Sequence, residues 1–254
     1  MSNSRVLAIL LAAALPAMAI DHSNLDEGRP LRIEDPYPLA HGEFALEAGL
    51  GATFERKAVN RGLAQVELLY GALPNLQLEV GSTFSSNPNE VEEPERSGDL
   101  RVAALYNFNQ ESTSIPALGL KAEVDLPSGE ESVGTDVELK ALVTKSFGNV
   151  SLHFNGGYTF IHGEEDGERQ GQYELVLGAS VPIGAPAHTR TTLIVDLYTE
   201  QSLERGEKPV YGVEGGVRYQ LSSQSVIDAG AGSEAVGPTE RSAFYFTVGF
   251  SYSF

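Results

Sequence analysis

Hydrophobic and polar positions alternate along most of this chain, and the alternation is sharpest over residues 243–254. Phe244, Phe246, Val248, Phe250, Tyr252 and Phe254 fall on one side of that stretch, with Tyr245, Thr247, Gly249, Ser251 and Ser253 on the other. A period of two is the signature of a strand, whereas a helix would scatter these residues around its axis. The same grammar starts at Glu43, where Phe44, Leu46, Ala48, Leu50, Ala52 and Phe54 oppose Glu43, Glu47, Gly49, Gly51 and Thr53. It recurs over 64–72, 76–84, 100–108, 118–126, 137–143, 150–160, 173–181, 191–198, 211–219 and 226–232. The pattern therefore predicts about twelve strands of roughly ten residues, the length that crosses a bilayer at a tilt.

The connections alternate as well. Short turns at Leu73-Pro74-Asn75, Ser146-Phe147-Gly148-Asn149 and Leu221-Ser222-Ser223-Gln224 interleave with long charged loops over 85–99, 127–134, 162–171 and 201–209. That asymmetry, with aromatic residues near strand ends (Phe44 and Phe54, Tyr106 and Phe108, Phe154 and Tyr158, Tyr211 and Tyr219), fits a barrel wall with interfacial girdles. The absence of Trp departs from the usual girdle composition. A soluble sandwich would bury its apolar rows between two sheets and give the aromatic ends no purpose. Only helices and closed barrels satisfy every backbone group in hydrocarbon. Residues 43–254 are thus expected to form an all-β, transmembrane, up-and-down antiparallel barrel whose even strand number puts both ends on the periplasmic side. The aromatic strand ending on Phe254 resembles the insertion signal of bacterial outer-membrane barrels, which implies recognition by the barrel-assembly machinery.

The opposite end of the chain carries an export signature. Arg5 precedes the apolar run from Val6 to Leu15, and Ala17-Met18-Ala19 offers small residues to a signal peptidase, so residues 1–19 are expected to be a signal peptide. That run is too short for a membrane helix, and no later stretch is continuously apolar for the roughly 20 residues required. Residues 20–42 are polar and punctuated by Pro30, Pro36 and Pro38, without a sustained period. They read as a lead-in segment, either periplasmic or folded into the barrel mouth. The formal charge of −18 argues against nucleic acid as a partner, and the lack of cysteine removes disulfides, thiolate metal sites and thiol nucleophiles together.

With the apolar rows in lipid, the opposite positions line the lumen: Glu47, Glu67, Glu79, Arg101, Lys121, Glu123, Asp136, Glu138, Lys140, Glu174, Asp196, Glu214 and Arg218, joined by Gln65, Gln77, Asp125 and Asp228. A charge facing lipid at the midplane costs about 2–4 kcal/mol, so this many must share a protein or water-filled interior. The row reads as a conduit with an acidic surplus that favours cations; a closed, salt-bridged interior is the alternative. Leu105, Leu142, Val176 and Ile194 are inward apolar exceptions, suited to a greasy path or to packing against the lead-in segment. A lipid hydrolase needs a serine aligned with a histidine, and Ser151 and His153 share the inward face of the seventh strand, without a nucleophile elbow. The acidic clusters Glu90, Glu92, Glu93, Glu95 and Glu164, Glu165, Asp166 could gather divalent cations that bridge lipopolysaccharide phosphates, but they match no spaced calcium loop and read rather as solvated loops that keep the rim soluble. No metal site, cofactor or catalysed reaction is expected.

The opening Arg29-Pro30-Leu31, Asp35-Pro36 and Leu39-Ala40-His41-Gly42-Glu43-Phe44-Ala45-Leu46-Glu47, then Tyr70-Gly71, Leu76-Gln77-Leu78-Glu79-Val80-Gly81 and Leu126-Pro127-Ser128-Gly129, resemble the outer-membrane transporters grouped with the MetA pathway of phenol degradation. The resemblance implies an outer-membrane channel of a Gram-negative bacterium admitting small organic, often aromatic, compounds. It carries over no binding residue. Taken together, the sequence points to a porin-like channel for passive uptake of small solutes, embedded in outer-membrane lipid and lipopolysaccharide.

Overall fold

Every alternating stretch folds as a strand, and each strand pairs antiparallel with its neighbour in sequence. The computed structural model describes residues 20–26, 28–55, 61–86, 95–129, 134–164, 166–184, 189–236 and 243–254. The expected signal peptide over 1–19 and the loop residues Glu90, Glu92, Glu93 and Glu165 lie outside them. The strands are β1 (Phe44–Glu55), β2 (Arg61–Leu73), β3 (Leu76–Ser86), β4 (Glu95–Asn109), β5 (Ala117–Leu126), β6 (Asp136–Phe147), β7 (Val150–Phe160), β8 (Gly171–Ile183), β9 (Thr191–Glu200), β10 (Val210–Ser222), β11 (Ser225–Val236) and β12 (Ala243–Ser253). β12 closes the sheet on β1, with Ala45 opposite Ser253 at one end and Phe54 opposite Phe244 near the other. Closure leaves no free edge, as a wall in hydrocarbon requires.

The faces sort as the alternation predicts. Leu50, Leu197 and Val248 stand outward and exposed, while Glu47 and Arg218 on the inner face are buried. Rings gather near both rims: Phe44 stacks on Tyr70 at 4.5 Å and on Phe254 at 5.9 Å, and Tyr158 meets Phe160 edge-on at 4.9 Å. Phe154 departs from the expectation and sits in mid-β7. Several strands outrun their apolar alternation, most clearly β4 and β6. Beyond the hydrocarbon the ladder needs only its backbone hydrogen bonds, so polar residues extend it.

One end of the barrel carries the tight connections at 74–75, 148–149 and 223–224, with 110–116 and the end of β8; it is called the turn end. The loop end is where β1 hands over to β2, β3 to β4, β5 to β6, β7 to β8, β9 to β10 and β11 to β12. The lead-in segment enters at the turn end, where Ile20 N–H donates to Ser253 Oγ (3.2 Å) and the His22 ring hydrogen-bonds Thr192 (2.7 Å). It rises inside the wall to Arg32, beside Glu200 at the last position of β9. It then descends past Asn107, whose amide donates to Pro36 O (2.8 Å), and reaches the turn end again where Gly42 N–H donates to Gly71 O (2.7 Å). β1 follows directly. Irregular backbone is tolerated at this depth because protein, not lipid, surrounds it.

The outward assignment of β12 has a measurable consequence. Val248→Arg, mid-strand on the exposed face, is expected to lower stability in lipid by about 2–4 kcal/mol, read from urea titrations in bilayers, whereas Thr247→Ser on the inner face changes it by less than about 0.5 kcal/mol.

Candidate functional site in the barrel interior

The register places like charges opposite one another on the inner face. Glu47 faces Glu67, Glu123 faces Glu138, Asp125 faces Asp136, Glu174 faces Glu200, Asp196 faces Glu214, and Lys121 faces Lys140. Directly opposed like charges destabilise a sheet. The lead-in segment answers this by threading charges of the needed sign between the strands. Arg29, wholly buried, donates to Glu47 and lies 3.8 Å from Asp228, with further bonds to Ser251 Oγ (3.3 Å) and the carbonyls of Ala48 and Phe250. Burial opposes its charge, but Glu47, Asp228 and Asp26 outweigh that and raise its pKa.

Arg32 reaches three strands at once. Its guanidinium donates to Glu174 of β8 and to Glu200 of β9 (2.9 Å), its Nε lies 3.4 Å from Glu214 of β10, and its backbone N–H donates to the other oxygen of Glu214 (2.8 Å). The plane of the group lies over the Tyr198 ring, 4.1 Å from its centroid. The Tyr245 hydroxyl donates to Glu214 as well. Two barrel cations reverse the roles: Arg218 holds Asp26 of the segment (3.1 Å), and Lys121 bridges Glu34 of the segment (3.2 Å) and Glu79 (3.0 Å).

Apolar contacts and small residues complete the fit. Leu25, Leu31 and Ile33 of the segment pack on Val176, Ile194 and Tyr198, and Ile20 and Leu39 pack with Ala45, Leu69 and Val226. Two of the inward apolar exceptions, Val176 and Ile194, are thus segment contacts. The wall yields to the chain at Gly230, where a Cβ would come 2.5 Å from the Pro30 carbonyl oxygen, and at Gly49, where it would meet Arg29 Cδ at 2.7 Å.

The remaining ionic positions are placed as follows. Arg101 bonds Glu123 (2.8 Å) and Asp125 (3.2 Å), and Lys140 lies 3.5 Å from Glu138. Glu67 is half-buried beside Glu79, and Asp136 sits on the loop-end rim, accepting His162 N–H at 3.0 Å. Ser151 and His153 do not pair: His153 bridges Thr144 and Ser180 (2.9 Å each), while Ser151 bonds Ser146 (3.0 Å). Among the described residues no group of His, Asp or Glu converges on a metal position. A cavity of about 260 Å³ opens between the top of the segment and the wall, bounded by Gly28, Pro30 and Arg32 below and by Gln65, Arg101, Glu174 and Tyr245 at the sides. Arg29, Arg32, Asp26 and Glu34 escape a reading based on alternation because the stretch that bears them has none. The only signal was the charge they bring to a proline-punctuated, non-periodic leader.

A closed twelve-stranded antiparallel wall, apolar outside and ionic inside, defines an outer-membrane β-barrel. The chain belongs to the family described as "Putative MetA-pathway of phenol degradation", whose model matches residues 30–254. No curated protein sequence matches it. Among solved structures the fold is similar to the COG4313 outer membrane channel from Pseudomonas putida F1 (TM-score 0.66, 13% identity, 91% of this chain and 100% of that one). It is also similar to the NanC porin (0.59, 10%, 81% and 98%) and the CymD monoaromatic hydrocarbon channel (0.52, 9%, 84% and 89%). At these identities the likeness is one of fold.

Two outcomes test the site. Arg29→Ala strands Glu47 and Asp228 in the interior and is expected to weaken docking of the segment by about 3–5 kcal/mol, seen as protease cleavage between residues 20 and 42 while the barrel keeps its folded mobility on gels. The second concerns Asp35, which ties the two limbs of the segment by accepting the N–H groups of Leu25 (2.8 Å) and Tyr37 (2.9 Å). Burial pushes its carboxyl up to about 7 from 3.8; the two N–H donors and Arg218 act the other way, and Asp26 adds to the rise. A raised docked value means that docking is strongest below the solvated carboxyl range and weakens as pH climbs through 7. Protease accessibility of the segment should therefore increase from pH 5 to pH 8, and Asp35→Asn should flatten that profile.

Proposed function

We propose that this protein is a passive outer-membrane channel for small solutes, with the lead-in segment as its built-in constriction. The observation that carries the reading is the ionic interior: a cavity of about 260 Å³ whose charged lining is Glu174, Glu214, Arg32 and Arg101, inside a wall whose outer face is apolar. A side-chain core that served stability alone would be better filled with apolar residues, since replacing buried ion pairs by packed hydrophobic side chains is often neutral or stabilising. The family assignment and the fold shared with porins and with a monoaromatic hydrocarbon channel support the same class. In this reading the turn end faces the periplasm, the loops face outward toward lipopolysaccharide, residues 1–19 direct export, and the outward aromatic row of β12 is what the assembly machinery engages.

The lumen wall sets selectivity and no reaction is catalysed. Glu47, Glu67, Glu79, Glu123, Asp136, Glu138, Glu174, Asp196 and Glu214 outnumber Arg101, Lys121, Lys140 and Arg218, so the field along the axis attracts cations and repels anions. Passage requires the segment to shift or the solute to slip past it. The splitting of Ser151 from His153 speaks against the hydrolase alternative.

Planar bilayers containing the full protein should conduct potassium in preference to chloride, and Asp125→Asn with Asp136→Asn should lower that preference by about twofold. Arg29→Ala should raise the open conductance. Bilayers that stay sealed with both forms would contradict the channel and leave a closed, salt-bridged barrel.

A further inference from the structure

We infer that the wall around Arg32 is a binding site for a small organic cation carrying a guanidinium or ammonium group, with Arg32 as its tethered occupant. The inference rests on the channel reading and names the solute class for it. Glu174, Glu200 and Glu214 come from three successive strands and converge on a single planar group, and Tyr198 supplies an aromatic face beneath it. Carboxylates placed for a donor fork, backed by a ring, are how proteins recognise a guanidinium or an alkylammonium.

Arg32 does not exhaust the site. Asp196, which is 2% exposed, opposes Glu214 across the ladder and adds a further carboxyl group to the cluster. The cavity of about 260 Å³ touches Arg32, Glu174, Glu214 and Tyr245, so a solute arriving from the loop end reaches the carboxylates before it reaches the constriction. The Arg32 side chain is 32% exposed and belongs to an irregular segment, so rotation about its side-chain bonds vacates the site while the wall stays fixed. An anion that approached Arg32 would meet repulsion from Glu174, Glu200 and Glu214, which already surround that guanidinium. A neutral aromatic solute that displaced Arg32 would leave three carboxylates without their cation, which low-dielectric surroundings penalise heavily.

The test uses the full-length protein in detergent micelles and planar bilayers, with methylguanidinium as probe and methylurea as its neutral counterpart. Calorimetry should show saturable methylguanidinium binding, tightened about tenfold in Arg32→Ala because the internal competitor is gone. Glu174→Gln or Glu200→Gln in the Arg32→Ala background should weaken it again, and methylurea should not bind. In bilayers, methylguanidinium added at the loop end of the unaltered protein should reduce potassium current in a concentration-dependent way, which needs no variant to fold. Methylguanidinium binding no tighter than methylurea, in folded Arg32→Ala and in the unaltered protein alike, would overturn the inference. Potassium conduction without such binding refutes this site and leaves the channel standing. Binding without conduction refutes the channel and leaves the site.

Discussion

The structure depends on one electrostatic constraint: a closed wall that turns carboxylates toward each other across its strands. Two such groups about 5 Å apart repel by about 3 kcal/mol at an effective dielectric near 20. Glu47 with Glu67, Glu174 with Glu200, and Asp196 with Glu214 repeat that geometry around the lumen. The wall's own cations are committed elsewhere, Arg101 to Glu123 and Asp125, Lys140 to Glu138. Arg29 and Arg32 bring the missing charge from the lead-in segment, and each sits where carboxylates of different strands meet. The segment is in this sense an internal counterion that happens to be polypeptide.

That role also explains how a stretch without secondary structure persists at membrane depth. Its backbone groups find side chains of the lumen: Asn155 accepts Glu34 N–H and donates to Glu34 O (2.8 Å each), Gln77 accepts Leu39 N–H (2.8 Å), and Thr247 donates to Pro30 O (2.7 Å). Polar residues on the inner face therefore complete the hydrogen bonding of the segment. The apolar spots at Val176 and Ile194 and the close approach at Gly230 are the complementary halves of Leu31, Ile33 and Pro30. A partner held by charge, hydrogen bonds and shape together need not be held permanently. Many of its contacts are polar, and water from either mouth can replace those; the apolar clusters around Leu31, Ile33 and Leu39 supply the rest.

The barrel was legible because its medium imposes a period. A strand with lipid on one side and a polar lumen on the other must alternate, so Phe244 to Phe254 and Phe44 to Phe54 declared their outer faces from the sequence. Strand ends were less legible, as in β4, because hydrogen bonding continues past the hydrocarbon where no alternation is required. Pairing was hidden altogether: nothing local tells Glu174 that it will oppose Glu200, or Lys121 that it will hold Glu34, since register is decided by residues far apart in the chain. Arg29 and Arg32 looked like ordinary polar residues of a leader. Their importance appears only when the carboxylates they neutralise have been placed around them.

A cysteine-free chain permits a direct measurement of whether the segment occupies the interior. Ile33 Cγ1 lies 3.1 Å from where a Cβ would stand on Gly178, a separation that suits a disulfide between the two positions. In Ile33→Cys with Gly178→Cys, assembled in native outer membranes, the thiols should join on mild oxidation and become unreactive to a small maleimide. Two thiols that both remain reactive, in a barrel that is otherwise folded, would show that the segment does not dock there and would remove the charge compensation on which the account is built.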